Sequence, residues 1–157
     1  MPESSPRCEP AVSNDPSAYG FTTEIRVRLS ETDAVGIVFF GSFSTYFDVG
    51  RMDYLAHLGL NEMDGPVRDL MPGVVVAHQV AFEAPARYND QLVLHVRIAD
   101  LGRTSYTFHF LITHKRSRQR IARGTLSLVW LDDQFRPVPL PKAFTEVIRE
   151  FEGELLG

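Results

Sequence analysis

Between residues 74 and 130 the chain alternates apolar and polar residues for most of its length, and no other feature limits its fold as strongly. "QLVLHVRIADL" (91–101) sets Leu92, Leu94, Val96 and Ile98 against His95 and Arg97. "TSYTFHFLITHK" (104–115) sets Tyr106, Phe108, Phe110 and Ile112 against Thr107, His109 and Thr113. "RIARGTLSLVWLDD" (120–133) sets Gly124, Leu126, Leu128 and Trp130 against Thr125, Ser127 and Val129. A period of two sends alternate side chains to opposite faces, so each strand has one apolar face that needs a cover. Ahead of them "GVVVAHQVAF" (73–82) is nearly continuous and β-branched, the pattern of a strand covered on both faces. "EAPARYND" (83–90) reads as a turn-rich crossover.

The cover is a helix. In "SFSTYFDVGRMDYLAHLGL" (42–60), Phe43, Phe47, Tyr54, Leu55 and Leu58 recur at helical spacing, with Gly59 as a stop signal. Gly50 lies inside it and costs about 1 kcal/mol against alanine, so a close packing contact is expected there. An earlier strand, "TTEIRVRL" (22–29), points Ile25, Val27 and Leu29 one way and Glu24, Arg26 and Arg28 the other. "NEMDGPVRDLMP" (61–72) is a loop, and "PKAFTEVIREFEGELL" (141–156) is a second helix with Phe144, Val147, Ile148, Phe151 and Leu155 on one stripe. Strand, helix, four strands, helix is an α+β order, with an antiparallel sheet wrapped over the first helix. An edge strand of such a sheet needs protection, and pairing across a dimer supplies it.

The 157 residues suit one domain, expected over 21–157 behind a disordered Pro-, Ser- and Asp-rich leader, 1–20. The net charge of −4 argues against non-specific nucleic-acid or anionic-membrane binding, and no apolar run is long enough for a membrane span. The basic stretch "HKRSRQR" (114–120) is either a solvated hairpin loop or a landing site for ligand phosphates. Cys8 is the sole cysteine, so no intrachain disulfide forms. The N-terminus lacks a secretory-signal pattern, and a cytoplasmic setting is expected. The histidines (57, 78, 95, 109 and 114) are scattered without ligand spacing, so no metal is expected.

The candidate chemistry lies in "ETDAVGIVFFGSFSTYF" (31–47). Asp33 ends the first strand, just before a helix whose first backbone N–H groups are unpaired. Gly36, Gly41 and Ser42 are small enough to let a ligand reach that backbone. A carboxylate and an oxyanion-binding N–H facing one carbonyl suit acyl transfer from a thioester. Against this stands the plain alternative that Asp33 caps a turn. Asp48, on the helix, is a rival acid that would otherwise pair with Arg51 or Arg28. Glu31 reads as a flanking residue.

"RVRLSETDAVGIVFFGSFSTYFDVGRMDYLAHLGL", "PARYNDQLVLHVRI" and "ARGTLSLVWLDDQFRPVPLP" together resemble the hotdog-fold acyl-CoA thioesterases of the 4-hydroxybenzoyl-CoA thioesterase type, over residues 23 to 150. The resemblance implies a five-stranded antiparallel sheet around a central helix, edge-to-edge dimers, commonly homotetramers, and active sites between protomers. It implies that Asp33 is the catalytic carboxylate and that the N–H of Phe40 or Gly41 polarises the thioester carbonyl. Asp33 would attack that carbonyl directly or, as a second choice, activate water. Where relatives often carry His or Tyr, this chain has Phe40, and where they commonly carry Asn it has Ser42. The substrate would be an acyl-CoA or acyl-carrier-protein thioester, with no separate cofactor. Arg103 and Ser105 would hold the nucleotide, with Arg87 and residues 115–120 as alternatives. Met63, Leu70 and Met71, in the loop 61–73, would wall the acyl group. The competing functions are a non-catalytic acyl-binding module and a dehydratase; the latter is poorly served by a helix with only His57.

Overall fold

The computed structural model describes residues 10–61 and 73–156. Cys8 and the proposed acyl wall, Met63, Leu70 and Met71, lie outside the described residues. Five strands, β1 (Phe21–Arg26), β2 (Val74–Phe82), β3 (Gln91–Leu101), β4 (Ser105–His114) and β5 (Arg120–Val129), form one antiparallel sheet. Their order is β1-β3-β4-β5-β2. Helix α1 (Ser42–His57) lies against the sheet, and α2 (Lys142–Glu152) packs at its far end against β3.

The alternation in the sequence becomes burial. Leu92, Leu94, Val96 and Ile98 on β3 and Phe108, Phe110 and Ile112 on β4 are fully buried, as are Phe47, Tyr54 and Leu55 of α1. Phe47 stacks on Phe110 with ring centroids 4.2 Å apart. Two glycines let the helix come this close. A Cβ on Gly50 would sit 3.1 Å from Val96 and 3.2 Å from Leu94, which bears out the expected packing contact. A Cβ on Gly124 would collide with the Gln79 carbonyl oxygen and stand 2.7 Å from the Phe47 ring.

Three expectations need correction. The strand 73–82 is not covered on both faces: β2 is an edge, and Val74, Val75 and Val76 are exposed. Continuous apolar character there reflects an uncovered edge rather than a sheet interior. Leu29 does not continue the inward row, because after Arg28 the chain turns into a short 3₁₀ helix (Leu29–Glu31) and leaves Leu29 exposed. Residues 10–20, expected to end a disordered leader, lie across the outer sheet face. Val12 and Tyr19 are buried there against Leu111, while Arg97 donates to the Ala18 carbonyl and Arg123 to that of Val12. Apolar anchors as sparse as Val12 and Tyr19 are invisible in a polar composition.

Candidate active site

The segment between β1 and α1 is held by Glu31. Its Oε2 accepts from the Arg28 N–H at 2.9 Å and from the Tyr46 hydroxyl at 2.7 Å. Burial and this carboxylate hold the Tyr46 phenol well above its ordinary pKa. The Glu31 carbonyl accepts from the Phe39 N–H at 2.9 Å and from Ser42 Oγ at 3.1 Å. One residue thus ties the loop to the helix start through both its side chain and its backbone. Glu31 is therefore more than the flanking residue its position suggests. The sequence holds half a signal for this, an acid three residues after Arg28 whose carboxylate reaches back to the Arg28 N–H as in a capping box, without the Ser or Thr that would complete one.

Between these ties the chain makes a tight reversal. Thr32 bridges to Val38, the Asp33 N–H donates to the Ile37 carbonyl, and the Gly36 N–H donates to the Asp33 carbonyl. Gly36 has φ +85°, a backbone region that explains the glycine. Asp33 Oδ1 accepts from the Val35 N–H at 2.9 Å, so one carboxylate oxygen caps the turn. Oδ2 has no hydrogen-bond partner among the described residues. The turn role of Asp33 therefore accounts for one oxygen and leaves the other uncommitted.

At the helix start the N–H groups of Ser42, Phe43 and Ser44 turn back to the carbonyls of Phe39, Phe40 and Gly41. Those of Phe40 and Gly41 have no acceptor among the described residues. They are also at the positive end of the α1 dipole. The Phe39 ring lies over Gly41, where a Cβ would stand 2.6 Å from it. The Ser42 hydroxyl is spent on the Glu31 carbonyl, so its part is to fix the backbone. Asp33, Gly36, Phe40, Gly41 and Ser42 thus share one short segment.

Arg103 and Ser105 do not join them within a protomer. Ser105 pairs with Val129 and Val129 with Val74, at the start of β2. Phe43, in the first turn of α1, packs on Phe82 at the end of β2, 5.0 Å between rings. At the rise of an extended strand those two ends are about 25 Å apart. The alternative basic residues lie at the Phe82 end, since Phe82 pairs with Ala122 beside the 114–120 turn. There Lys115 is ion-paired with Glu24 at 2.8 Å and Arg120 with Glu83 at 2.9 Å, while Arg116 and Arg26 line an open cleft. Asp48 takes its expected local partner: Arg51 Nε donates to its Oδ1 at 2.7 Å. His57 packs between the Phe21 and Phe151 rings. No three of His, Cys, Asp and Glu converge as a metal site among the described residues, and no helix there is long and apolar enough to cross a membrane.

A five-stranded antiparallel sheet wrapped around one helix is the hotdog architecture of thioesterases. The chain belongs to the Thioesterase-like superfamily, whose profile matches residues 27–148. It is 26% identical over 133 residues to the acyl-CoA thioester hydrolase YbgC of Escherichia coli O157:H7, covering 84% of this chain and 96% of that one. It is 28% identical to the chloroplastic acyl-acyl carrier protein thioesterase ATL3 of Arabidopsis thaliana over 76% of this chain, and spans 63% of that protein's length. Among solved structures, a Thermus thermophilus thioesterase complexed with coenzyme A and Zn superimposes with a TM-score of 0.75 at 28% identity, covering 87% and 98% of the two chains. A Synechocystis 1,4-dihydroxy-2-naphthoyl-CoA thioesterase shares the fold with a TM-score of 0.73 at 24% identity, covering 82% and 94%.

Proposed function

We propose that the protein is an acyl-CoA thioesterase that hydrolyses a thioester to free acid and CoA, with Asp33 as nucleophile. The observation that carries this reading is the pairing of the two acceptor-free N–H groups, Phe40 and Gly41, with a carboxylate oxygen on the same segment. A thioester carbonyl seated on those N–H groups gains stabilisation as its oxygen becomes negative. Asp33 attack forms a mixed anhydride and expels the thiolate; water then cleaves the anhydride. Water activation by Asp33 is the second route. The names of the bacterial and plant relatives support a CoA or carrier-protein thioester as substrate.

The site needs a second copy to reach a nucleotide. Two β2 edges pairing antiparallel about a twofold axis would bring the start of the partner's β2 towards Phe82, and with it the partner's β3–β4 turn. That arrangement carries Arg103 and Ser105 towards the Asp33 segment of the other subunit, and it covers the exposed valines of β2. Two such dimers would make the homotetramer, and the enzyme would work in the cytoplasm without metal or bound cofactor.

Use of Asp33 Oδ1 as a turn cap favours one other reading, a non-catalytic acyl-binding module. Thiol release separates the two. With a panel of acyl-CoAs and acyl-carrier-protein thioesters, the wild type releases free thiol if the enzyme reading holds. Asp33→Asn can still cap Val35 but cannot attack, so kcat falls by about 100-fold or more with folding intact. Binding without thiol release establishes the module, and near-full activity in Asp33→Asn makes Asp33 a structural residue.

A further inference from the structure

We propose that Ser44, His78 and Asp48 form a proton relay along the first turns of α1, with His78 as the proton acceptor when water releases the acyl group; this rests on the thioesterase reading above. Ser44 Oγ stands 3.5 Å from His78 Nδ1, the outer limit of a hydrogen bond and a separation that substrate can tighten. Ser44 and Asp48 are four residues apart on α1, so they share the helix face over which the His78 ring lies. That ring is on the helix side of β2, because His78 pairs with Leu126, an inward residue of β5. It stands edge-on to Phe47, 5.2 Å between centroids. Ser44 is three residues beyond Gly41, about 4.5 Å along the axis from the acceptor-free N–H groups. An acyl carbon held at the helix start therefore faces the Ser44 end of the relay.

Asp48 is fixed in turn. Arg51, which binds it, has a side chain only 3% exposed and is wedged in the core by its position on α1. Among the described residues, the polar groups facing His78 are the Ser44 hydroxyl and the Asp48 carboxylate of α1, with Arg51 behind Asp48; on β5 its pairing partner is Leu126. Burial lowers the His78 pKa and Asp48 opposes the shift, so the imidazole is neutral at pH 7 with a nitrogen free to accept. No ion pair or metal cluster among the described residues uses His78.

Asp33 attack leaves an acyl–Asp33 anhydride and a thiolate. The water oxygen then bonds to the acyl carbon while that carbon's bond to the Asp33 oxygen breaks, returning the carboxylate with its electron pair. The water proton passes to Ser44 Oγ as the Ser44 proton passes to His78 Nδ1. The imidazolium then protonates the thiolate, giving free acid and thiol.

The test is steady-state and single-turnover hydrolysis of butyryl-, benzoyl- and palmitoyl-CoA by the intact wild type and by His78→Gln, His78→Asn and Ser44→Ala. In the wild type kcat rises with pH through a group titrating below the ordinary histidine value, and both His78 variants lose that limb. Their kcat falls by about 100-fold with little change in KM, and Ser44→Ala by about tenfold. Because the first step does not use His78, both His78 variants give a burst of one thiol per site, an acyl adduct in the intact mass, and partial rescue by added imidazole. Wild-type kcat and an unchanged acid limb in the folded variants overturn the relay alone. Absence of thiol release by the wild type overturns the thioesterase reading and the relay with it.

Discussion

Gly124 shows how a single hydrogen in place of a side chain sets the distance between layers. It sits where β5 passes under α1, with the Phe47 ring above and the Gln79 carbonyl beside it. Alanine there cannot be absorbed by a rotamer change, since one of the two obstacles is backbone. Gly124→Ala is expected to destabilise by about 3 kcal/mol, the upper end of ordinary overpacking costs. Urea unfolding measures the loss, and amide exchange should show it concentrated along β2. A shift below about 0.5 kcal/mol, the range of an ordinary surface substitution, would mean that β2 is held loosely. The inward alternation of β5, Gly124 included, is plain in the sequence, but the reason for the glycine is not. The same holds at Glu31: its identity is visible, while its tie to Tyr46, fifteen residues on, exists only once the helix is docked.

At the scale of elements, α2 docks through one buried carboxyl as well as its apolar stripe. Phe144 and Ile148 are buried, and Glu152 Oε1 accepts from the Tyr54 hydroxyl at 2.5 Å and from the Ile98 N–H at 3.1 Å. Ile98 lies beyond the last residue of β3 paired with β1, so Glu152 takes the place of a strand partner. Burial raises the Glu152 pKa, against the lowering effects of Tyr54, the Ile98 N–H and Arg97. A raised value means the folded protein binds this proton more tightly than the unfolded chain does. The stabilisation is complete below the ordinary value of 4.5 and is lost as pH rises through the folded pKa. Glu152→Gln keeps an acceptor for both donors and does not titrate. The stability of the wild type relative to this variant should therefore fall as pH rises from about 4 towards neutrality, read by urea titrations at several pH values. Parallel profiles would show that Glu152 ionises as freely in the fold as in the open chain. The stripe on α2 is legible from its spacing; Glu152 is not, because an acid near a helix end is ordinarily solvated.

For the whole molecule, the open edge at β2 is the place where the proposed pairing of two copies can be tested. Val76 is 61% exposed beside the bulge between Val75 and Ala77, on a strand with one side unpaired. A lysine at an edge is a recognised block to strand pairing. If two copies pair through β2 as proposed, Val76→Lys should halve the mass measured by light scattering and abolish turnover, because each site would then draw on the partner's β3–β4 turn. A variant that keeps both its mass and its activity would place the subunit contact elsewhere. The arm at 10–20 belongs to the same scale, since Val12 and Tyr19 find their cover only on the finished outer face of the sheet.

The sequence by itself determined the inward rows of β3, β4, β5 and α1, roughly where the strands and helices run, and that Asp33 precedes a helix start lined with small residues. Those are matters of period and local backbone chemistry, which neighbouring residues settle among themselves. Only the tertiary structure decided that β2 is an edge, that Arg103 lies at the opposite end of the sheet from Asp33, and that His78 meets Ser44. Each depends on strand order and on contacts between residues far apart in the chain, and a local pattern carries no record of either. One uncommitted carboxylate oxygen and two acceptor-free amide N–H groups on the segment that leads into α1 remain the physical core of the proposal. Thiol set free by the wild type and withheld by the asparagine variant is the result on which it stands.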